Sequence, residues 1–159
     1  MVEYKWISIT DILGQYAAIA RDHLKMLDPE RLDENERIEA LILSLKEMGL
    51  DGWKFTEVFK GFRTYLLSRE GKEKWAYELV NMKDMEKKAM TLVSQRDAVL
   101  QSLNEKGKDG WFYCDLIFKT NPEPTLFALL ARKITQKEAD EIAEKLKQQK
   151  EPKKENTGE

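Results

Sequence analysis

The residues of this chain best suited to chemistry are acids and arginines at matched places. Glu57 and Asp115 each stand four positions after a tryptophan, Trp53 and Trp111. Strict strand alternation puts each acid on the face of its tryptophan, among Phe55 and Phe59 or among Tyr113 and Ile117. A carboxylate in such surroundings must be paired, protonated or open to water. Arg96 falls inside a helical apolar stripe, at the place where an earlier copy of the stripe holds Ile38. One reading is a half-buried ion pair from Arg96 to Asp115 or Glu57. The other gathers Glu57, Asp115, Arg96, Arg69 and Arg132 in a polar cleft at a pseudo-twofold seam, with Trp53 or Trp111 as a stacking surface. Arginine clamps phosphate with two parallel bonds and stacks on rings, so such a cleft would take a nucleotide or another small anion. Turnover would have to rest on Glu57 or Asp115 as acid or base.

Other catalytic patterns are missing. His23 is the sole histidine and borders an apolar helical stripe, which suits a boundary residue better than a general base. The sequence has no Gly-rich phosphate loop, no paired metal-ligand spacing and no nucleophile elbow. The repeated Gly-x-Asp-Gly lacks the alternating oxygen ligands of a calcium loop. The reading therefore assigns no catalytic residue, no metal and no cofactor. Cys114 is the only cysteine, which rules out an intramolecular disulfide and fits a reducing compartment. Its apolar neighbours make it a buried filler.

The elements that must carry these residues come in two sets. Leu45-Lys46-Glu47-Met48-Gly49-Leu50-Asp51-Gly52-Trp53 is echoed by Leu103-Asn104-Glu105-Lys106-Gly107-Lys108-Asp109-Gly110-Trp111. Each copy reads as a helix end closed by a left-handed glycine, Gly49 or Gly107, then an Asp-Gly reversal and a strand that opens at tryptophan. Leu66-Leu67-Ser68-Arg69 likewise matches Leu129-Leu130-Ala131-Arg132.

The first unit, 1–70, starts with a strand bearing Val2, Tyr4 and Trp6 on one face and Glu3 and Lys5 on the other. Its helical part is split by Asp28-Pro29 into 10–27 and a second helix capped by Asp33 and Glu36. A hairpin of 53–60 and 62–69 closes the unit. The second unit, 74–133, repeats this with one long helix over 83–106 and a hairpin of 111–119 and 125–133. The strand 111–119 is apolar on both faces and calls for a layer on each side. Thr135 and Glu138 cap a C-terminal helix, 134–148, with Ile134 and Ala139 at staple positions. A charged tail, 149–159, should be disordered. The fold class is α+β: an internal duplication of strand-helix-strand-strand units with antiparallel sheets covered by helices.

The motif running from Leu103-Asn104-Glu105-Lys106-Gly107 to Gly110-Trp111 resembles the hallmark of a small bacterial and phage domain family of uncharacterised function. That hallmark is Leu-Asn-Glu-Leu-Gly-x-x-Gly-Trp-Glu. This chain departs from it at Lys106, at Lys46 and Met48 in the first copy, and at Lys54 and Phe112 after the tryptophans. The resemblance implies the fold and brings no catalytic residues with it; a phage or mobile-element association belongs to the functional expectation.

Composition narrows the choice of function. The 159 residues are 42% apolar and 35% charged, enough for a core beneath a well-solvated exterior. With 27 basic and 29 acidic residues the net charge is −2, without the basic excess of a nucleic-acid binder. No apolar run nears the ~20 residues that span a bilayer, and the start lacks a signal pattern, so a cytoplasmic protein is expected. The leading expectation is a non-enzymatic binding or regulatory module. It would hold a protein partner through helix faces, a sheet edge or the C-terminal helix. The alternative is a binder of a small anionic ligand or nucleotide, in a cleft between the units.

Overall fold

A computed structural model of the chain describes residues 1–8, 33–59, 64–87 and 94–150. In order they form β1 (Val2–Ser8), α1 (Glu34–Leu50), β2 (Lys54–Phe59), β3 (Thr64–Glu70) and β4 (Lys74–Asn81). There follow α2 (Met82–Lys87), α3 (Gln95–Lys108), β5 (Phe112–Lys119), β6 (Thr125–Ile134) and α4 (Gln136–Lys150). The expected helix over 10–27, the tip of the first hairpin and the tail beyond Lys150 lie outside the described residues. The fold is α+β, with two antiparallel three-stranded sheets and covering helices.

Strand order is the same in both sheets, β1-β3-β2 and β4-β6-β5, so the last strand of each unit is the central one. The registers match too. Glu3 pairs with Arg69 and Ala76 with Arg132, which makes Val2, Tyr4 and Trp6 the counterparts of Trp75, Tyr77 and Leu79. Each hairpin also carries a bulge at one place, between Phe55 and Glu57 and between Tyr113 and Asp115.

Helix α1 starts at a complete capping box. Asp33 accepts from the Glu36 backbone N–H at 2.8 Å, and Glu36 accepts from Asp33 N–H. Both α1 and α3 end in a Schellman closure. Trp53 N–H donates to Met48 O and Gly52 N–H to Gly49 O, while Trp111 N–H donates to Lys106 O and Gly110 N–H to Gly107 O. The left-handed residues are therefore Gly52 (φ 94°) and Gly110 (φ 91°). Gly49 and Gly107 were expected in that role but lie one turn earlier, inside the helices.

Of the single long helix expected over 83–106, residues 88–93 lie outside the described ones, and α3 has its own start at Ser94, which adopts an extended ψ of 154° and caps it. α4 begins as expected. Thr135 and Glu138 exchange backbone hydrogen bonds, and Ile134 and Ala139 are buried together.

One core joins the units. It takes Ile7, Phe55, Tyr65 and Leu67 from the first sheet, Leu41, Leu45 and Met48 from α1, and Trp75, Tyr77, Leu129 and Ala131 from the second sheet. α1 crosses the second sheet, held at its start by Thr120 at the end of β5 and at its end by β4. Glu34 accepts from the Thr120 backbone and from its hydroxyl (2.6 Å), and Lys74 Nζ donates to Leu50 O at 2.5 Å. The first sheet contributes the face of Phe55, Tyr65 and Leu67, whose counterparts in the second sheet are Tyr113, Ala128 and Leu130. Those three lie on the far side of the second sheet from Tyr77 and Ala131. The units thus meet through unlike faces, stacked in one direction, and the expected pseudo-twofold seam does not form.

The far side of the second sheet carries its own helices. Ala128 and Leu130 pack on Met85 of α2 and on Val99 and Leu103 of α3, and Ala76 and Ile134 pack on Ala139 and Ile142 of α4. The strand buried on both faces is consequently β6, through Ala128, Leu129, Leu130 and Ala131. β5, which was expected there, lies at the sheet edge and leaves Tyr113, Leu116 and Phe118 exposed.

Candidate functional site

The two tryptophans of the repeated motif are the places where candidate residues gather. Each helix closure sets its tryptophan at the mouth of the following strand, against the arginine that ends the central strand. The Arg69 guanidinium stacks 4.5 Å above Trp53, and that of Arg132 lies 5.1 Å from Trp111. A guanidinium over an indole is held by the ring quadrupole, and its edge stays free to bind acids. Arg69 uses that edge fully, with Nη1 3.1 Å from Asp51 Oδ2 and Nη2 2.9 Å from Glu3 Oε2. Trp53 Nε1–H also donates to Asp51, at 3.3 Å. Arg132 donates to Glu138 Oε2 at 2.6 Å. That bond, with the Thr135 backbone, holds the Glu138 carboxyl below its usual pKa.

A lysine completes each cluster from a different element. Lys5 of β1 places Nζ 4.3 Å from the Trp53 ring, and Lys106 of α3 places Nζ 5.9 Å from the Trp111 ring. Lys106 is tied to Glu78 of β4 at 3.3 Å, the strand position that matches Lys5. Burial lowers the Lys5 pKa, Asp51 opposes that and Arg69 adds to it. Trp53 is buried and Trp111 half-buried, so neither presents the open ring face that a stacked ligand would need.

The acids lie elsewhere. The bulges at Thr56 and Cys114 break the strict alternation, so Glu57 pairs opposite Leu66 and turns away from Phe55, exposed on the outer face of the first sheet. Asp115 faces the inter-unit core and accepts the Tyr65 hydroxyl at 2.9 Å. Arg96 is exposed on α3, which packs on the opposite side of the second sheet. The expected Arg96 pair with Asp115 or Glu57 is therefore absent, and Glu57, Asp115, Arg96, Arg69 and Arg132 do not share a cleft. Cys114 is buried beside Asp115, and burial, with Asp115 adding, pushes its thiol up to about 12.

A further feature has an apolar character. Val2, Tyr4, Trp6 and Phe59 are all exposed on the outer face of the first sheet, with the Trp6 and Phe59 rings 4.7 Å apart at 60°. The alternation of Val2, Tyr4 and Trp6 is plain in the sequence, and the ordinary expectation turns such a face inward. Here Lys5 and Glu3 turn towards Trp53 and Arg69 instead, and the aromatic side is left open. Among the described residues no helix is long and apolar enough to cross a membrane. Comparison with protein-family models, with curated proteins and with solved structures finds no match to this chain.

Proposed function

We propose that this chain is a non-enzymatic, regulatory protein-binding module that engages a protein partner through the outer face of its first sheet. The observation that carries the reading is the group of exposed side chains Val2, Tyr4, Trp6 and Phe59 on one face of the sheet. Aromatic side chains give large contact area at small entropic cost and dominate interface energetics. A contiguous exposed apolar patch is the mark of an association surface. The polar candidates support it indirectly. Arg69, Arg132 and Asp115 are engaged with Glu3, Glu138 and Tyr65, which leaves them suited to holding the fold. We place the protein in the cytoplasm, in keeping with its single buried thiol. A phage or mobile-element setting is part of the same proposal.

The test is capture from the native host with wild type and with Trp6→Glu. A protein held by wild type and lost by the variant supports the reading, and identical capture by both overturns it.

A second reading, binding of a small anion or nucleotide, draws on one observation. Nε of Arg132 is buried beside Trp111 with no hydrogen-bond partner among the described residues. A thermal-shift panel of anionic metabolites separates the two. Stabilisation that is lost in Arg132→Ala favours the anion.

A further inference from the structure

The open face of the first sheet has a counterpart inside the same molecule, and that counterpart is already filled. Tyr4 matches Tyr77, and Trp6 matches Leu79. Tyr4 is 63% exposed, whereas Tyr77 is 3% exposed and donates its hydroxyl to Trp53 O at 2.7 Å. What fills the Tyr77 face is the first unit: α1 with Ile42 and Gly49, and the strand β2 with Phe55 and Val58.

The other end of the molecule shows the complementary vacancy. Phe55 and Val58 match Tyr113 and Leu116, and Ile42 and Gly49 match Leu100 and Gly107. Phe55 is 5% exposed, yet Tyr113 is 52%, Leu116 43% and Leu100 56% exposed. Among the described residues nothing lies within 4 Å of where a Cβ on Gly107 would be, while Gly49 abuts Trp75 O. α4 covers Ala76 and Ile134 on that side and leaves these residues open. The two open surfaces are thus the register equivalents of the two halves of the internal interface.

Building on the protein-binding reading, we propose that the partner is a second copy of this chain, stacked head to tail. Its α3 and β5 take on Tyr4 and Trp6 the place that α1 and β2 take on Tyr77 and Leu79. Tyr4 then donates to the Trp111 carbonyl of the second copy. The interface joins unlike surfaces, so assembly continues beyond a dimer until it closes in a ring or runs as a filament.

Sedimentation velocity over a wide concentration range tests this with two blocked variants. Trp6→Glu spoils one surface and Leu116→Glu the other. Wild type is expected to grow with concentration, and each variant alone to stay monomeric. An equimolar mixture is expected to form a 1:1 heterodimer and nothing larger, because one intact surface remains on each molecule. Should either variant lose its circular-dichroism signal, Tyr4→Lys and Tyr113→Lys make the same pair at side chains more than half exposed. Three results overturn the proposal: a monomeric wild type, variants that assemble alone as wild type does, or a mixture that stays monomeric. A monomeric wild type whose host partner is still lost in Trp6→Glu overturns self-stacking while the protein-binding reading stands.

Discussion

Gly49 and Gly107 hold the same place in two equivalent helix ends, and their surroundings are opposite. A Cβ on Gly49 would lie 2.1 Å from the Trp75 carbonyl oxygen, and one on Gly107 would meet nothing within 4 Å among the described residues. The first glycine lets α1 touch the backbone of β4, and the second has no such contact. Gly49→Ala is therefore expected to destabilise by about 1–3 kcal/mol, since backbone must move on backbone. Gly107→Ala should stabilise by about 0.5–1 kcal/mol through helix propensity alone. Thermal melts of the two variants should move in opposite directions, the second upward by roughly 2–4 °C per kcal/mol at this chain length.

Tyr77 joins the units by a second contact. Its buried hydroxyl donates to the Trp53 carbonyl across the interface. Tyr77→Phe removes that bond and is expected to cost about 1 kcal/mol, read from urea melts at pH 7. Loss of no more than a few tenths would show that the bond is exchanged freely for water.

Alkaline pH should unfold the protein through two buried groups. Burial raises the Tyr77 pKa from 10.0, and it raises that of Cys114 from 9.0 to about 12. Both ionise at lower pH in the unfolded chain than in the folded one. Their contribution is complete below about pH 9 and is lost as pH rises through the folded values, at about 1.4 kcal/mol per pH unit for each group. Cys114→Ala and Tyr77→Phe should each flatten the alkaline limb of a stability-versus-pH curve. The native thiol should also resist a thiol-disulfide reagent at pH 8 and react once urea is added.

Arg69 serves Trp53, Asp51 and Glu3 at once. A partly solvated cation over an indole contributes about 0.5–1 kcal/mol, and a half-exposed ion pair about 0.2–1 kcal/mol. Arg69→Ala is expected to lose about 1–2 kcal/mol and to shift Trp53 emission as its cover is removed. Arg69→Lys keeps the charge without the fork, so it should recover only part of that loss.

Much of this architecture is legible in the residues. The repeat of Leu45–Trp53 at Leu103–Trp111, the Asp33 and Thr135 caps and the order of the strands all follow from local chemistry that the fold obeys. The left-handed position was displaced because either glycine of Gly-x-Asp-Gly can close a helix, and only the hydrogen-bond pattern selects Gly52 and Gly110. The facing of the acids differs from strict alternation because a bulge inserts one residue with no composition of its own. Thr56 and Cys114 are ordinary strand residues, yet they reverse the facing of Glu57 and Asp115 relative to Phe55 and Tyr113. The open aromatic face is not legible in the sequence, because alternation tells which residues share a face and not which face is covered. Tyr4 and Tyr77 have the same setting in sequence, and tertiary packing alone separates them.

The stacking of the units through unlike faces is tested most directly at Tyr65 and Asp115, which meet at 2.9 Å across the two sheets. A double-mutant cycle of Tyr65→Phe and Asp115→Ala, read from urea melts, measures that meeting. The predicted coupling is about 1 kcal/mol or more, as for a hydrogen bond to a charged acceptor. Effects that simply add, to within about 0.3–0.5 kcal/mol, would mean that the sheets do not face each other there.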